Sequence, residues 1–193
     1  MSASPTSTRE RILDVALELF NEQGYDKTSL RQIAERLGVT KAALYYHFAR
    51  KEDIFLELHL RMHRLGSGPL EELDGLGPDE TVAAWPRVLD AFVEQVIANR
   101  DLFLLHQRNE NAFKQIIDDE RHRAENEDIE ERFRALLADS RIPLEQRVRM
   151  ASSIGAIFVP LMGTGDMFGD ADPDEVAGYA REAVRDLLRR PPQ

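Results

Sequence analysis

A chain of 193 residues, 42% of them hydrophobic, is long enough for a small domain and a larger one, each with its own core. It has no cysteine, which excludes disulfides, thiolate metal sites and a cysteine nucleophile and is neutral about compartment. The formal net charge of -10 sets most of the molecule against a polyanion, so any contact with nucleic acid has to be local.

The N-terminal MSASPTSTRE has no apolar run, so no signal peptide is read there, and residues 1 to about 8 are expected to form a disordered arm. No apolar run approaches 18 residues, so no membrane span is expected either, and the chain reads as cytoplasmic. RERILDVALELFNEQGY, from Arg9 to Tyr25, is an amphipathic first helix. In the second helix Leu30, Ile33, Ala34 and Leu37 recur at i, i+3, i+4 and i+7 as one apolar stripe, while Arg31, Gln32, Glu35 and Arg36 fall on the wet side. Ser29 and Gln32 have capping-box spacing, Thr28 is an equally good cap, and Gly38 is placed to end the helix with a positive φ.

A third helix, Thr40 to Phe48, follows after a tight turn. Laid out at about 100° per residue, it points Leu44 and Phe48 inward. Ala42, Ala43 and Tyr46 lie opposite, Thr40, Tyr45 and His47 flank them, and Lys41 extends from the first turn. Two alanines on an exposed face have nothing to pack on, but they let a backbone come close to phosphates or base edges. Tyrosine, histidine and lysine beside them supply the donors that phosphate oxygens accept. From Lys27 to Lys51, Lys27, Arg31, Arg36, Lys41, Arg50 and Lys51 stand against Glu35 alone, a local charge of +5. Such a patch gives the salt-dependent part of DNA affinity. Phe48 reads as core and Tyr46 as a DNA contact. Tyr45 is open to either reading, His47 also reads as a solvated helix-end residue, and Arg36 and Lys27 read as ordinary solvated charges.

The residues from about Arg9 to Leu58, with T-S-L-R-Q-I-A-E-R-L-G-V, K-A-A-L-Y-Y-H-F and K-E-D-I-F, resemble the DNA-binding domain of the tetracycline-repressor (TetR) family. The resemblance implies an all-α protein: a three-helix helix-turn-helix domain over residues 1-50 and a helical ligand-binding and dimerisation domain over 51-193. About nine helices are expected. By position it puts DNA contacts on Thr28, Arg31, Thr40, Lys41, Ala42, Ala43, Tyr45, Tyr46, His47 and Lys51. Ala42 and Ala43 stand where some relatives have a polar residue or glycine, which moves base readout toward Thr40, Lys41 and Tyr46.

A fourth helix starts near Lys51 with Ile54, Phe55, Leu58, Met62 and Leu65 on one stripe, and Gly66 to Pro78 reads as a loop from its glycine and proline content. Helices are expected at about 79 to 98, kinked or restarted at Pro86, then at 101 to 118, 122 to 138, 144 to 163 and 173 to 190. Asp172, Pro173 and Glu175 mark the start of the last. Asp118 to Arg134 is so charged that a solvated helix or partly mobile segment is expected.

Small residues in the eighth helix, Ser152, Gly155 and Ala156, and a stripe in the ninth, Ala180, Val184 and Leu187, are similar to the four-helix dimer interface of the family. The alternative is that these stripes serve only the intrachain core. Trp85, Phe92, Phe103, His106, Phe113, Phe158 and Met162 are candidates to line an apolar pocket with a few polar groups, the default ligand site. A hydrophobic or aromatic small molecule is the expected ligand.

His59 and His63 are i and i+4, and His106 and Glu110 repeat that spacing, so two such pairs facing each other could hold Zn²⁺. Adjacent-turn histidines are common on solvated helices, so no metal or other cofactor is assigned. GTGDMFG, Gly163 to Gly169, has Phe168 in the third glycine position of a dinucleotide loop and follows a helix, and is set aside. The chain reads as a ligand-responsive repressor that binds a palindromic operator as a homodimer. An activator of the same family is the alternative, with a helical enzyme or metal sensor behind it; no nucleophile elbow or P-loop favours the enzyme.

Overall fold

The computed structural model describes residues 7–109, 112, 131–162, 168 and 171–189, and every regular element among them is helical. The order is α1 (Thr8–Gln23), α2 (Leu30–Leu37), α3 (Lys41–His47), α4 (Lys51–Ser67), a 3-10 helix (Gly68–Leu73), α5 (Pro78–Ala98), α6 (Arg100–Arg108), α7 (residues 131–138), α8 (Leu144–Met162) and α9 (Pro173–Leu188). The fold is all-α, as the periodicities require. The chain separates into two compact units, Met1–Met62 with Asp101–Arg123, and His63–Arg100 with Ala124–Gln193, so the division falls inside the unbroken helix α4.

In the first unit, helix ends are fixed by local chemistry. Ser7 and Glu10 form a reciprocal capping box at the start of α1, and Ser29 and Gln32 repeat it on α2. Gly38 ends α2 in the left-handed region at φ 76°, its N–H donating to the Ala34 and Glu35 carbonyls. The core of this unit is Ile12, Leu13, Ala16 and Phe20 of α1 with Ile33, Leu44, Phe48, Ile54, Phe55 and Leu58. Tyr25 stacks on Phe55 at 4.1 Å between ring centroids, and Phe20 meets Phe55 edge-on at 5.8 Å. Leu102, Phe103 and Leu105 of α6 are buried as well, and Asn21 Nδ2 donates to the Asp101 carbonyl at 3.0 Å.

In the second unit α5 runs unbroken through Pro86 instead of restarting there. Pro86 lies on its exposed side, where water can take the carbonyl that the missing N–H would have served. Part of the expected loop after residue 66 is the 3-10 helix, with Pro69 in its first turn and Leu70 buried. Trp85 is buried; its Nε1–H donates to Ser153 Oγ at 3.0 Å, and that hydroxyl donates to the Met150 carbonyl at 2.7 Å. Asp172 and Pro173 open α9 as cap and first residue, as expected. The expected extension of the sixth helix past 112, the seventh helix before 131 and most of the charged 118–134 run lie outside the described residues.

Candidate nucleic-acid interface

Only three residues, Gly38, Val39 and Thr40, separate α2 from α3. Thr40 caps α3, its Oγ1 accepting from the Ala43 N–H at 3.1 Å. Leu44 has no exposed surface and Phe48 almost none, so they anchor α3 by one side. The opposite side is open: Tyr46 is 87% exposed, and Lys41, Ala42 and Ala43 are exposed beside it. Tyr45, open to either reading from the sequence, is 44% exposed and sits beneath the Lys41 ammonium, 5.3 Å from its ring centroid. Half-buried His47 meets Tyr46 edge-on at 5.3 Å. An 87% exposed tyrosine buries almost nothing within the chain, so packing does not account for it.

The cations around this face are held loosely or tightly in ways that matter. Arg31 Nε pairs with Glu35 at 2.7 Å on the exposed side of α2, and Arg36 pairs with Glu22 at 3.1 Å. In each, the bond to the carboxylate raises an already high guanidinium pKa, so both stay charged. Exposed pairs of this kind are weak, and a phosphate can replace the carboxylate. Lys51 is different. It donates to the Tyr25 carbonyl at 2.7 Å and lies 4.0 Å from the Tyr25 ring centroid, so it holds α4 to the end of α1.

Thr28 is 2% exposed. Its hydroxyl donates toward the Gly24 carbonyl at 2.9 Å and the Leu19 carbonyl at 3.3 Å and accepts from Gln23 Nε2 at 3.1 Å. Its side chain therefore closes the link between α1 and α2, and Ser29 alone takes the cap. Nine of the ten carried-over residues, all but Thr28, are exposed or half-buried.

Of the pocket candidates, Trp85, Phe92 and Phe158 line one cavity in the second unit, with Leu70, Val88 and Phe133 among its other walls. Its volume is about 10 Å³. Phe103 and His106 belong to the first unit, Phe113 lies outside the described residues, and nothing is described of the Met162 side chain. Of the interface candidates, Ser152 and Gly155 are exposed, Ala156 is half-buried and Leu187 is 37% exposed, while Ala180 and Val184 are buried within the chain. The ninth-helix stripe is thus divided between an inner edge and an outer one. Ser153, which the sequence does not single out, holds the Trp85 indole across 68 positions of chain, a contact that no local pattern announces.

A short α2, a tight glycine turn and an α3 with one buried and one bare side define a helix-turn-helix transcriptional regulator. Residues 12–58 match the bacterial regulatory proteins of the tetR family. The chain is 38% identical over 97 residues to the uncharacterized HTH-type transcriptional regulator TtgW of Pseudomonas putida, covering 49% of this chain and 67% of that one. With that match, the chain belongs to the TetR family. It is also 45% identical over 47 residues to the biofilm operon HTH-type negative transcriptional regulator IcaR of Staphylococcus epidermidis, 24% of this chain and 25% of that one. The chain spans only about a quarter of the length of the first curated relatives it matches. Along its whole length it is similar to the crystal structure of the TetR family regulator PfmR from Thermus thermophilus, at a TM-score of 0.65 and 26% identity over 97% of this chain and 99% of that one. As a member of that family the chain is a transcriptional regulator. No helix among the described residues is long and apolar enough to cross a membrane.

Proposed function

We propose that the chain is a ligand-responsive repressor that binds a palindromic DNA operator as a homodimer in the cytoplasm and is released by a small hydrophobic or aromatic effector. Residues 1-50 are the reading head, and 51-193 hold the effector and the dimer contact. The observation that carries the DNA part is the bare face of α3, Tyr46 with Lys41, Ala42 and Ala43, inside a segment of charge +5 on a chain of charge -10. Repression is supported by the IcaR relative, which is a negative transcriptional regulator.

Dimerisation is supported by the outer stripes of the last two helices. Leu144, Val148 and Val159 of α8 and Tyr179 and Leu187 of α9 are exposed apolar residues, with Gly155 among them on α8. A single helix-turn-helix unit reads few base pairs, so two copies on half-sites about one helical turn apart give useful specificity. The effector reading is supported by the aromatic cavity, whose walls are apolar.

Selection of fragments from the protein's own genome, followed by titration of the selected duplex at several salt concentrations, tests this. Sub-micromolar, salt-sensitive binding to a two-fold symmetric sequence is expected, and Lys41→Ala should reduce the salt slope by about one. Equal affinity for selected and random duplexes would remove the operator-binding reading.

A further inference from the structure

Three of the five histidines of the chain come together on α4 and α6. His59 and His63 are one turn apart on the unbroken α4, which by helix geometry puts both on one face. His106 of α6 stacks on His59 at 4.9 Å between ring centroids and 19° between planes. One ring nitrogen from each of the three lies within 4.8 Å of the other two. His59 is 3% exposed, and His63 and His106 are half-buried, so the group lies partly below the surface rather than on a solvated helix face.

We propose that His59, His63 and His106 form a binding site for one divalent transition-metal ion, with Zn²⁺ as the reference ion. The donor set chooses the class: three imidazoles, with no carboxylate joining them among the described residues, suit zinc, nickel or copper, and do not suit Mg²⁺ or Ca²⁺, which take oxygen ligands. Zinc–nitrogen bonds of about 2.0 to 2.1 Å in a tetrahedron put ligand nitrogens about 3.3 Å apart. The three nitrogens therefore have to close by at most about 1.5 Å, a distance within reach of side-chain torsions. Imidazole lone pairs lie in the ring planes, so two nearly parallel rings cannot point at one ion. Loading must open the His59–His106 stack to a steeper angle. Three protein ligands leave a fourth position for water or an exogenous donor. Because only neutral imidazole binds, the affinity falls as pH drops through the histidine range.

The test uses the full chain without an affinity tag, stripped with a chelator, and titrated with Zn²⁺ by calorimetry and with Co²⁺ by visible absorption. One ion per chain is expected, with cobalt ligand-field bands and a higher melting temperature in the presence of zinc. His106→Gln and, separately, His63→Gln should each weaken zinc binding by about 100-fold or more, since loss of a ligand costs at least what loss of its supporting partner does. Both sites are half-buried, and circular dichroism of the metal-free variants reports their folding. His47→Gln and His122→Gln should bind as the parent does. Wild-type protein that takes up no zinc at tenfold excess overturns the site. So does an ion that both cluster variants retain, or one that only the His122 variant loses. None of these readouts involves DNA, so their failure would leave the operator-binding reading standing.

Discussion

Tyr46 and Leu44 are two residues apart on α3 and do opposite work. Leu44 is fully buried and holds the helix to the first unit; Tyr46 is almost fully exposed. Tyr46→Ala should therefore weaken operator binding by about 1 to 3 kcal/mol, roughly 5- to 150-fold, while the melting temperature stays close to that of the parent. A large drop in melting temperature without a change in affinity would assign the tyrosine to packing instead. Thr28 should show the reverse pattern. Thr28→Val removes a buried hydroxyl with three partners and leaves their polar groups unmet, at a cost of about 1 to 3 kcal/mol of stability. Operator affinity of the folded protein should hold, and an affinity loss at unchanged stability would put Thr28 in the interface. The sequence separates Tyr46 from Leu44 because a helical wheel needs only local spacing. It does not place Thr28, since a threonine ahead of a helix suits a cap, a phosphate contact or a buried loop tie equally. What decided among them was the return of the chain onto the carbonyls of Leu19 and Gly24.

Among elements, the last two helices show where periodicity stops being enough. Ala180 and Val184 turn into the chain while Tyr179 and Leu187 face out, although all four lie within one broad apolar sector of α9. Which edge of such a sector packs against α8 depends on the partner helix, and no window of sequence contains that. Similarly, the periodicity gives His59 and His63 a common face, but the arrival of His106 is a tertiary fact. Gly155 offers a clean test of the outer face. A Cβ built there meets nothing within 4 Å in the single chain, so a larger side chain is sterically harmless to the monomer. Replacing an interior helical glycine by a better helix former gains about 0.5 to 1 kcal/mol. Gly155→Leu should then keep or raise helicity and stability of the monomer while weakening self-association, because a close helix contact is overfilled. Sedimentation equilibrium reads both species. An unchanged dimer would move the interface off this part of α8, and a wild type that is monomeric at micromolar concentration would remove the dimer altogether.

At the scale of the whole molecule, the +5 of residues 27 to 51 leaves -15 for the rest of the chain, so a duplex is attracted to one region and repelled elsewhere. The cavity sets the other constraint. Pockets for drug-sized ligands measure about 300 to 1,000 Å³, whereas the cavity among Trp85, Phe92, Phe133 and Phe158 is about 10 Å³, room for about one water. An effector can enter only by displacing side chains from a packed interior, so its binding selects a rearranged state. If that state binds operator worse by a factor of about 5 to 150, the coupling is about 1 to 3 kcal/mol. Thermodynamic linkage then fixes the reverse effect: saturating operator must weaken effector binding by the same factor. A hydrophobic aromatic compound found to release the operator should be titrated calorimetrically into the protein alone and into its operator complex. The two dissociation constants should differ by the factor measured for DNA release. Equal constants would mean that the compound acts on the DNA or at a site that does not distinguish the two states, and that the aromatic cavity of the second unit is core rather than sensor.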